Sequence, residues 1–485
     1  MKGSVNKGFF SYLILFFCLI LGVILICFTI MIFSPGTSIF GWIYVRDNVE
    51  YKIETYNGKD FSVIVDENGE VVNANEKPNY FDFNNLSSIS IKCVDASINI
   101  IHGDYDQIIV NNKIKGFMKK ADRVELSITK YYNPADNSLA ITIIDKNPKL
   151  TISNNKSVDL HLKENGSHAL LNLNFEITGK GGVDIGSKAF NSNAIRQETF
   201  NSLNVVTNVG DVLISKNDVF SSSVKIKTVT GNIECKEDLN FNSKTTDFKL
   251  ISFETQKGKI KANNLSADDS ITFTAEESYV NVGKLKSDVV VCHIANGDFR
   301  TNDIEGKLID NDDVVRNTNF VIGNISGDVT IPNATKGGFK AGEISGTALI
   351  STQSGAISIK SLKGRGEITS TSGSIDILID ENNYGEIKLS TENGAVNARF
   401  LSVLGSNLIT TSSGKINIEY KEGLEFKLTA KTTKNISLKN ENIQRNNEEI
   451  IGYPSIIDNP IQTSNTLTLT SNNGDIEIFR SSNVG

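Results

Sequence analysis

An eight-residue pattern recurs along the second half of this chain: Ser or Thr, two polar residues, Gly, any residue, Ile or Val, any residue, and an apolar residue. Gly355, Gly373, Gly394 and Gly414 follow one another at intervals of 18, 21 and 20 residues. A period of this length indicates stacked repeat units rather than a conventional globular core. The repeat corners predicted from the pattern are Gly210, Gly231, Gly258, Gly327, Gly355, Gly373, Gly394, Gly414 and Gly474.

Each copy of the pattern predicts a turn followed by a strand. Glycine allows the positive φ of a tight corner, and the Ser, Thr and Asn residues before it favour turns. The alternation after the glycine, as at Ile375 and Ile377, predicts a strand with these side chains facing inward. A second alternating stretch precedes each glycine, so a rung of ~20 residues contains two or three short strands. We therefore predict an all-β, β-helix-like solenoid over 201–485, with about a dozen rungs and a length of roughly 60 Å.

Some segments depart from this pattern. Asn324 replaces Ser or Thr before Gly327, and Lys434 stands where a glycine is expected, 20 residues after Gly414. The polar, asparagine-rich stretch 441–460 contains two prolines and is predicted to be a loop insertion. Residues 51–200 are strand-rich but less regular, and the solenoid is predicted to begin near residue 86.

The N-terminal segment has no charged residue between Lys7 and Arg46, and its residues 9–33 are almost wholly apolar. Residues 9–33 exceed the ~20 residues that a helix needs to cross a bilayer. A cleaved signal peptide is the alternative, but its apolar core is ~7–15 residues long and ends in small residues. Residues 31–35 lack such a cleavage site. We therefore predict a transmembrane helix at 9–33 with the lipid bilayer as a partner, preceded by a cytoplasmic stub (1–8) and followed by a juxtamembrane segment (34–50).

Orientation is predicted from the positive charges of Lys2 and Lys7. Positive charges before a span favour a cytoplasmic N-terminus. We therefore predict a single-pass cell-membrane protein whose residues after the helix lie outside the cell. Trp42, with Phe40 and Tyr44, suits an aromatic belt at the membrane interface. A hydrophobic contact with the extracellular body is the alternative interpretation of these three residues.

Composition limits the classes of partner and of cross-link. A net charge of −7 over 485 residues argues against nucleic acid as the main partner. Cys93, Cys235 and Cys292 lie outside the apolar helix, widely separated and odd in number, so they do not describe a disulfide framework. We predict buried thiols, while pairing of two of the three remains an alternative.

We find no sequence signature of a catalytic, cofactor or metal site. The scattered histidines and the two acidic clusters lack the spacing of metal ligands, and the glycine-rich stretch 179–184 occurs once and is predicted to be a loop. These histidines and acidic residues are His102, His161, His168, His293, Asp268, Asp269, Asp310, Asp312 and Asp313.

The order of an apolar anchor, an opening rung at 98–110 and serial Thr-x-x-Gly-x-Ile-x-Ile strands resembles the bacterial putative-adhesin family. This is a β-helical domain of unknown function, akin to the head domain of putative auto-transporter adhesins. The resemblance covers 86–485 and rests on the repeat pattern. It implies a surface-exposed, adhesive or scaffolding role, and it supplies no active residues to transfer.

Three functions therefore remain open. An adhesin or surface-binding module would have surface glycans or envelope proteins as partners, whereas a passive scaffold or stalk would need none. The third is a polysaccharide-processing enzyme, for which Asp376, Lys388 and Lys415 are outward-facing candidates on successive rungs. Charged residues on a solvated sheet also serve solubility, so we expect no enzyme. A single Trp argues against strong lectin behaviour.

Overall fold

The structure is a computed structural model. It describes residues 7–34, 38–39, 42–54, 83–103, 106–119, 126–133, 135–145, 153–163, 171–186, 199–215, 219–241, 249–310, 316–439, 445–446, 449–453 and 463–482. The chain forms two compact units. Unit 1 comprises Met1–Gly166, Phe175–Gly182 and Lys188–Ala194, and unit 2 comprises Ser167–Asn174, Val183–Ser187 and Ile195–Gly485.

Unit 1 begins with helix α1 (Lys7–Phe33). Its part Ser11–Phe33 is long and apolar enough to cross a membrane, and almost all of its large apolar side chains are exposed. A 3₁₀ turn follows at Phe83–Asn85. The strands are β1 (Ser38–Ile39), β2 (Trp42–Glu54), β3 (Ser88–Cys93), β4 (Ala96–Gly103), β5 (Gln107–Lys119), β6 (Leu126–Asn133), β7 (Ser138–Asp145) and β8 (Ser153–Lys163). Strand β9 (Asn172–Lys180) has its larger part in unit 1.

Two consecutive strands of unit 1 are arranged as a rung. Strands β3 and β4 flank a corner at Asp95, and each pairs in parallel with a later strand, β7 and β8 respectively. Unit 1 also contains antiparallel pairs: β5 pairs with β8 and β2, β6 pairs with β7, and β1 pairs with β2. Most of the predicted juxtamembrane segment is thus strand β2. Gly181, expected in a loop, instead lies at a corner against Ala96 between two strands.

Unit 2 contains the predicted repeats. Its strands are β10 (Val183–Ile185), β11 (Thr199–Val209), β12 (Val212–Ile214), β13 (Val219–Thr230), β14 (Ile233–Cys235), β15 (Leu239–Asn240), β16 (Leu250–Ala262), β17 (Leu265–Ser266), β18 (Ser270–Ile309), β19 (Asn317–Ile325), β20 (Val329–Thr335), β21 (Phe339–Ile344), β22 (Ala348–Thr352), β23 (Ile357–Leu362), β24 (Gly366–Ser370), β25 (Ile375–Ile379), β26 (Ile387–Thr391), β27 (Val396–Phe400), β28 (Ser406–Thr411), β29 (Ile416–Lys421), β30 (Lys427–Thr432), β31 (Ile436–Lys439), β32 (Arg445–Asn446), β33 (Glu449–Gly452), β34 (Thr466–Ser471) and β35 (Ile476–Ser481).

A typical rung of unit 2 has two strands and two corners. We call the strand before the repeat glycine the A-strand, for example β22, and the strand after it the B-strand, for example β23. The first corner joins A to B, and the second corner joins B to the next A-strand. A-strands pair with A-strands and B-strands with B-strands, in parallel. This arrangement confirms the predicted all-β solenoid.

The core of unit 2 consists of the inward side chains of both strand columns. Ile375 and Ile377 are fully buried, as the alternation predicted. Five phenylalanines stack through successive rungs, with ring centroids 5.6–6.1 Å apart. They are Phe253, Phe273, Phe299, Phe320 and Phe339. Each rung shields the apolar edge of the next, because no single rung can bury its own.

The rung order at the end of unit 2 differs from the chain order. Strand β34 pairs with β28 on one side and β30 on the other, and β35 likewise lies between β29 and β31. The copy at 466–481 is therefore inserted between the rungs 406–421 and 427–439. Strand β33 pairs antiparallel with β30 and covers its outer edge. Most of the predicted loop insertion at 441–460 lies outside the described residues.

Candidate functional site: corners and outer faces of unit 2

The first corners form a column in which almost every position is a small residue. A Cβ built on Gly231, Gly258, Gly394 or Gly414 would lie 2.6 Å from the carbonyl carbon of the column residue one rung earlier. Real Cβ atoms do not approach so closely, so only glycine fits without a shift. The column runs Gly210, Gly231, Gly258, Ser278, Gly297, Thr318, Gly337, Gly355, Gly373, Gly394, Gly414 and Gly474.

The reason for glycine at these corners differs from the predicted one. Among the described glycines, positive φ occurs at Gly181, Gly186, Gly297, Gly306, Gly405 and Gly423, and at none of the predicted repeat corners. The expectation of a positive-φ turn was therefore wrong for these corners. Close approach between successive rungs, rather than the conformation of one turn, selects glycine.

Gly327 belongs to the second corner, not to the first. A Cβ on Gly327 would lie 2.6 Å from the carbonyl carbon of Gly306, and one on Gly346 would lie 2.6 Å from that of Gly327. Gly364 continues this second column. The pattern around Gly327 resembled the repeat because a glycine also precedes the A-strand that begins at Val329.

The Ser or Thr that heads each repeat is buried and satisfies the corner backbone. The Thr391 hydroxyl accepts a hydrogen bond from the Gly394 amide at 3.0 Å, and the Thr411 hydroxyl accepts one from the Gly414 amide at 2.8 Å. In earlier rungs the hydroxyl donates to the glycine carbonyl of the rung before, as from Thr255 to Gly231 at 3.2 Å. Buried backbone groups need such partners. These head residues therefore stabilise the corners and are not accessible to a ligand at the surface.

The outer face of the A-strand column carries a ladder of hydroxyl side chains. Ser351, Thr369, Ser390, Thr410 and Thr470 follow one another in register on adjacent strands. The Thr410 and Ser390 hydroxyls lie 3.0 Å apart. Parallel strands space these side chains at about 4.8 Å, so the face presents a regular polar array.

The outer face of the B-strand column has amide and charged groups instead. Asp376, Asn397, Asn417 and Glu477 are register neighbours. The side-chain amide nitrogen of Asn417 donates a hydrogen bond to the side-chain oxygen of Asn397 at 2.7 Å. The two faces of unit 2 are thus chemically distinct, although both are polar.

Surface charges in unit 2 pair between neighbouring rungs. The Lys227 ammonium lies 2.7 Å from the Glu254 carboxylate, and Lys363 lies 2.8 Å from Glu343. These groups are substantially exposed, so each pair contributes little stability. Lys284 contacts Glu305 in the same way, and their hydrogen bond lowers the pKa of the Glu305 carboxyl.

Candidate enzyme residues do not converge on one face. Asp376 lies on B-strand β25, whereas Lys388 lies on A-strand β26, so the two occupy different outer faces. Lys415 lies in the first corner, where its ammonium is 2.8 Å from the Glu477 carboxylate. The structure does not bring these three residues together.

The two acidic clusters have internal partners. The Lys249 ammonium is buried and lies 2.6 Å from the Asp268 carboxylate. The Asp269 carboxylate accepts a hydrogen bond from the backbone amide of Lys249. Asp310 is buried, with Arg316 Nε 3.5 Å and His293 Nδ1 3.7 Å from its Oδ1. Asp312, Asp313 and His168 lie outside the described residues. Within the described ranges, no group of three or more His, Cys, Asp or Glu residues is placed to hold a metal ion.

The two remaining described histidines and the three cysteines outside helix α1 are buried. His102 and His161 are buried, and desolvation lowers the pKa of His161. All five cysteines are free, which confirms the prediction of buried thiols for Cys93, Cys235 and Cys292. Burial raises the pKa of Cys93 and Cys235 to about 12 and that of Cys292 well above its usual value. Such thiols are unreactive at neutral pH.

Tyr384 is an exposed aromatic residue that the repeat pattern did not single out. It lies in the second corner after β25, outside the eight-residue pattern, and is 65% exposed. Its hydroxyl donates to the Ser345 carbonyl at 2.9 Å, and its amide donates to the Lys363 carbonyl at 2.9 Å. The side chains of Trp42 and Phe40 lie outside the described part, whereas Tyr44 is buried.

Comparisons with known proteins give one structural likeness over most of the chain and one family match within unit 2. No curated protein matches the chain. A solved structure titled a putative cell adhesion protein from Clostridium sporogenes is similar, at 8% identity and a TM-score of 0.12, covering 82% of this chain and 96% of that one. Residues 308–479, from the end of β18 to β35, match the family model described as Toastrack DUF4097, so this part of the chain is similar to a toastrack domain of unknown function.

Proposed function

We propose that the chain is a membrane-tethered surface-binding module whose polar solenoid faces make adhesive contacts. The regular outer face of the A-strand column, from Ser351 to Thr470, is the observation that carries the proposal. A ladder of identical groups lets many weak contacts act together, so that a modest affinity per rung becomes firm attachment. The match to the toastrack family supports a surface-binding role in general terms.

The N-terminal helix would supply the tether. Ser11–Phe33 has the length and composition of a membrane span, and the lysines before it favour a cytoplasmic N-terminus with the body outside the cell. The partners would be surface glycans or envelope proteins, with no catalytic step. Accessibility of the solenoid to added protease on intact cells tests this orientation, and protection of the body would contradict it.

A passive scaffold is the second candidate, and one observation favours it. Hydroxyl and amide groups on the outer faces already pair with each other, as Thr410 does with Ser390 and Asn417 with Asn397. Groups satisfied in this way have less to gain from a ligand. A scaffold would show no saturable binding to any surface.

Binding of proteoliposomes that carry the full chain to glycan arrays and to cells separates the two functions. We expect saturable binding, which the double variant Thr369→Glu/Thr410→Glu on the A-strand face abolishes. The matched variant Asn397→Glu/Asn417→Glu introduces the same charge on the B-strand face and should retain binding. Equal loss in both variants, or no saturable binding by the unmodified protein, would contradict the proposal.

A further inference from the structure

The unusual rung order suggests how two molecules of this protein can join. The copy at 466–481, which we call the inserted rung, is held on both sides by parallel strands. Leu467, Leu469, Ile476 and Ile478 of this rung are fully buried between its neighbours. The inserted rung is thus an internal layer of the stack rather than its outer end.

The rungs on either side of it share one register. Leu408 and Thr429 both face Thr468, and Ile416 and Ile436 both face Ile476. If the inserted rung leaves, the rungs 406–421 and 427–439 can therefore pair with each other. Release leaves no permanently open strand edges, which lowers its cost relative to the loss of any other rung.

The closed arrangement would nevertheless be poorer than the inserted one. It has one layer fewer, so Leu467, Leu469, Ile476 and Ile478 of the released rung would lie in water instead of in the core. The slot therefore remains favourable for refilling by an inserted rung.

The connection is long enough for another molecule to do the refilling. Strand β33 stays paired with β30, so the connection to the exchanged segment runs from 453 to 462. Ten residues reach at most about 36 Å when extended. The inserted rung of one molecule can therefore enter the slot of a neighbour, where it makes the same contacts as in its own.

We propose that this protein forms dimers by reciprocal exchange of residues 463–482 between two copies. Exchange of an identical element preserves every contact and has a low thermodynamic cost. Here the proposal deepens the proposed function and rests on it, because it names a second copy of the chain as one partner of the adhesive surface. Exchange between molecules on facing membranes would join those membranes.

Cross-linking between single-cysteine variants tests the exchange. Leu408→Cys and Thr468→Cys are made separately in full-length protein with Cys18→Ala and Cys27→Ala, and the two are mixed in detergent with a short bismaleimide. The three other cysteines are buried and have raised pKa values, so they should not react. Leu408 and Thr468 are register neighbours. A covalent product of twice the chain mass is expected, because neither variant can cross-link within itself.

The matched control combines Lys388→Cys with Leu408→Cys, which are also register neighbours but lie on strands outside the inserted rung. This mixture should yield no product of twice the chain mass. A product in both mixtures would indicate unspecific association and overturn the proposal. So would its absence from the first mixture, provided that the double variant Leu408→Cys/Thr468→Cys cross-links within one chain. Binding to glycans or cells that persists without exchange would leave the proposed function intact.

Discussion

At each first corner, the carbonyl oxygen of the rung below decides which residue fits. Thr391 and Gly394 have different roles at one corner. The Thr391 hydroxyl accepts a hydrogen bond from the Gly394 amide, and the absence of a side chain at Gly394 allows close contact with the Gly373 carbonyl of the neighbouring rung. The pattern visible in the sequence therefore records two contacts, one within the corner and one between rungs. Ser278 and Thr318 show that the column accepts other small residues where the local backbone adjusts.

Gly394→Ala should lower the free energy of unfolding by about 1–3 kcal/mol, because its Cβ would overlap the Gly373 carbonyl. Thermal unfolding of the full-length protein in detergent measures this change. Glu392→Ala, at an exposed position of the same corner, is the control and should be nearly neutral. If the Gly394→Ala protein were as stable as the unmodified protein, the rungs would have to lie farther apart at this corner than described.

Thr391→Val should cost about 1–2 kcal/mol of stability, because it keeps the side-chain shape but leaves the buried Gly394 amide without its acceptor. Thr410→Val makes the same change on the outer face, where water can replace the hydroxyl contact, and should cost less. Comparison of the two unfolding curves checks the assignment. If Thr410→Val lost more stability than Thr391→Val, the outer hydroxyl rather than the buried one would stabilise the fold, and the assignment would be wrong.

At the scale of the strand, alternation and glycine spacing were enough to predict the solenoid and its inward side chains, as at Ile375 and Ile377. They were not enough to separate the two corners, because Gly327 and Gly355 precede strands of similar pattern on opposite sides of the rung. Nor could they find Tyr384, whose exposure depends on a contact with Ser345 two rungs away. Such contacts between distant residues have no local signature in the sequence.

The buried pair of Asp310 and Arg316 gives a prediction at this scale. Arg316→Met should destabilise the protein by about 3–5 kcal/mol, because it leaves the Asp310 carboxylate buried without its guanidinium partner. The double variant Asp310→Leu/Arg316→Met removes both charges and should recover most of the loss. Chemical denaturation of the three proteins measures this. A double variant as unstable as Arg316→Met would show that the pair is not the cause.

At the scale of the whole molecule, rung order makes a prediction that chain order does not. Leu469→Asp should increase hydrogen exchange in both 406–411 and 427–432, because the inserted rung contacts both strands. If the rungs followed the chain, only 427–432 would touch it. Hydrogen-exchange mass spectrometry distinguishes the two patterns, and amides in 203–262 should keep their protection as an internal reference.

The displaced order of the last rungs also affects how the protein is made. A ribosome completes 427–439 before 463–482, yet the earlier-made segment takes its final place on top of the later one. This end of the solenoid therefore cannot take its final order until residues 463–482 have been made. A polypeptide interrupted within 440–462 would lack the inserted rung, so the intact tip marks a chain translated beyond that rung.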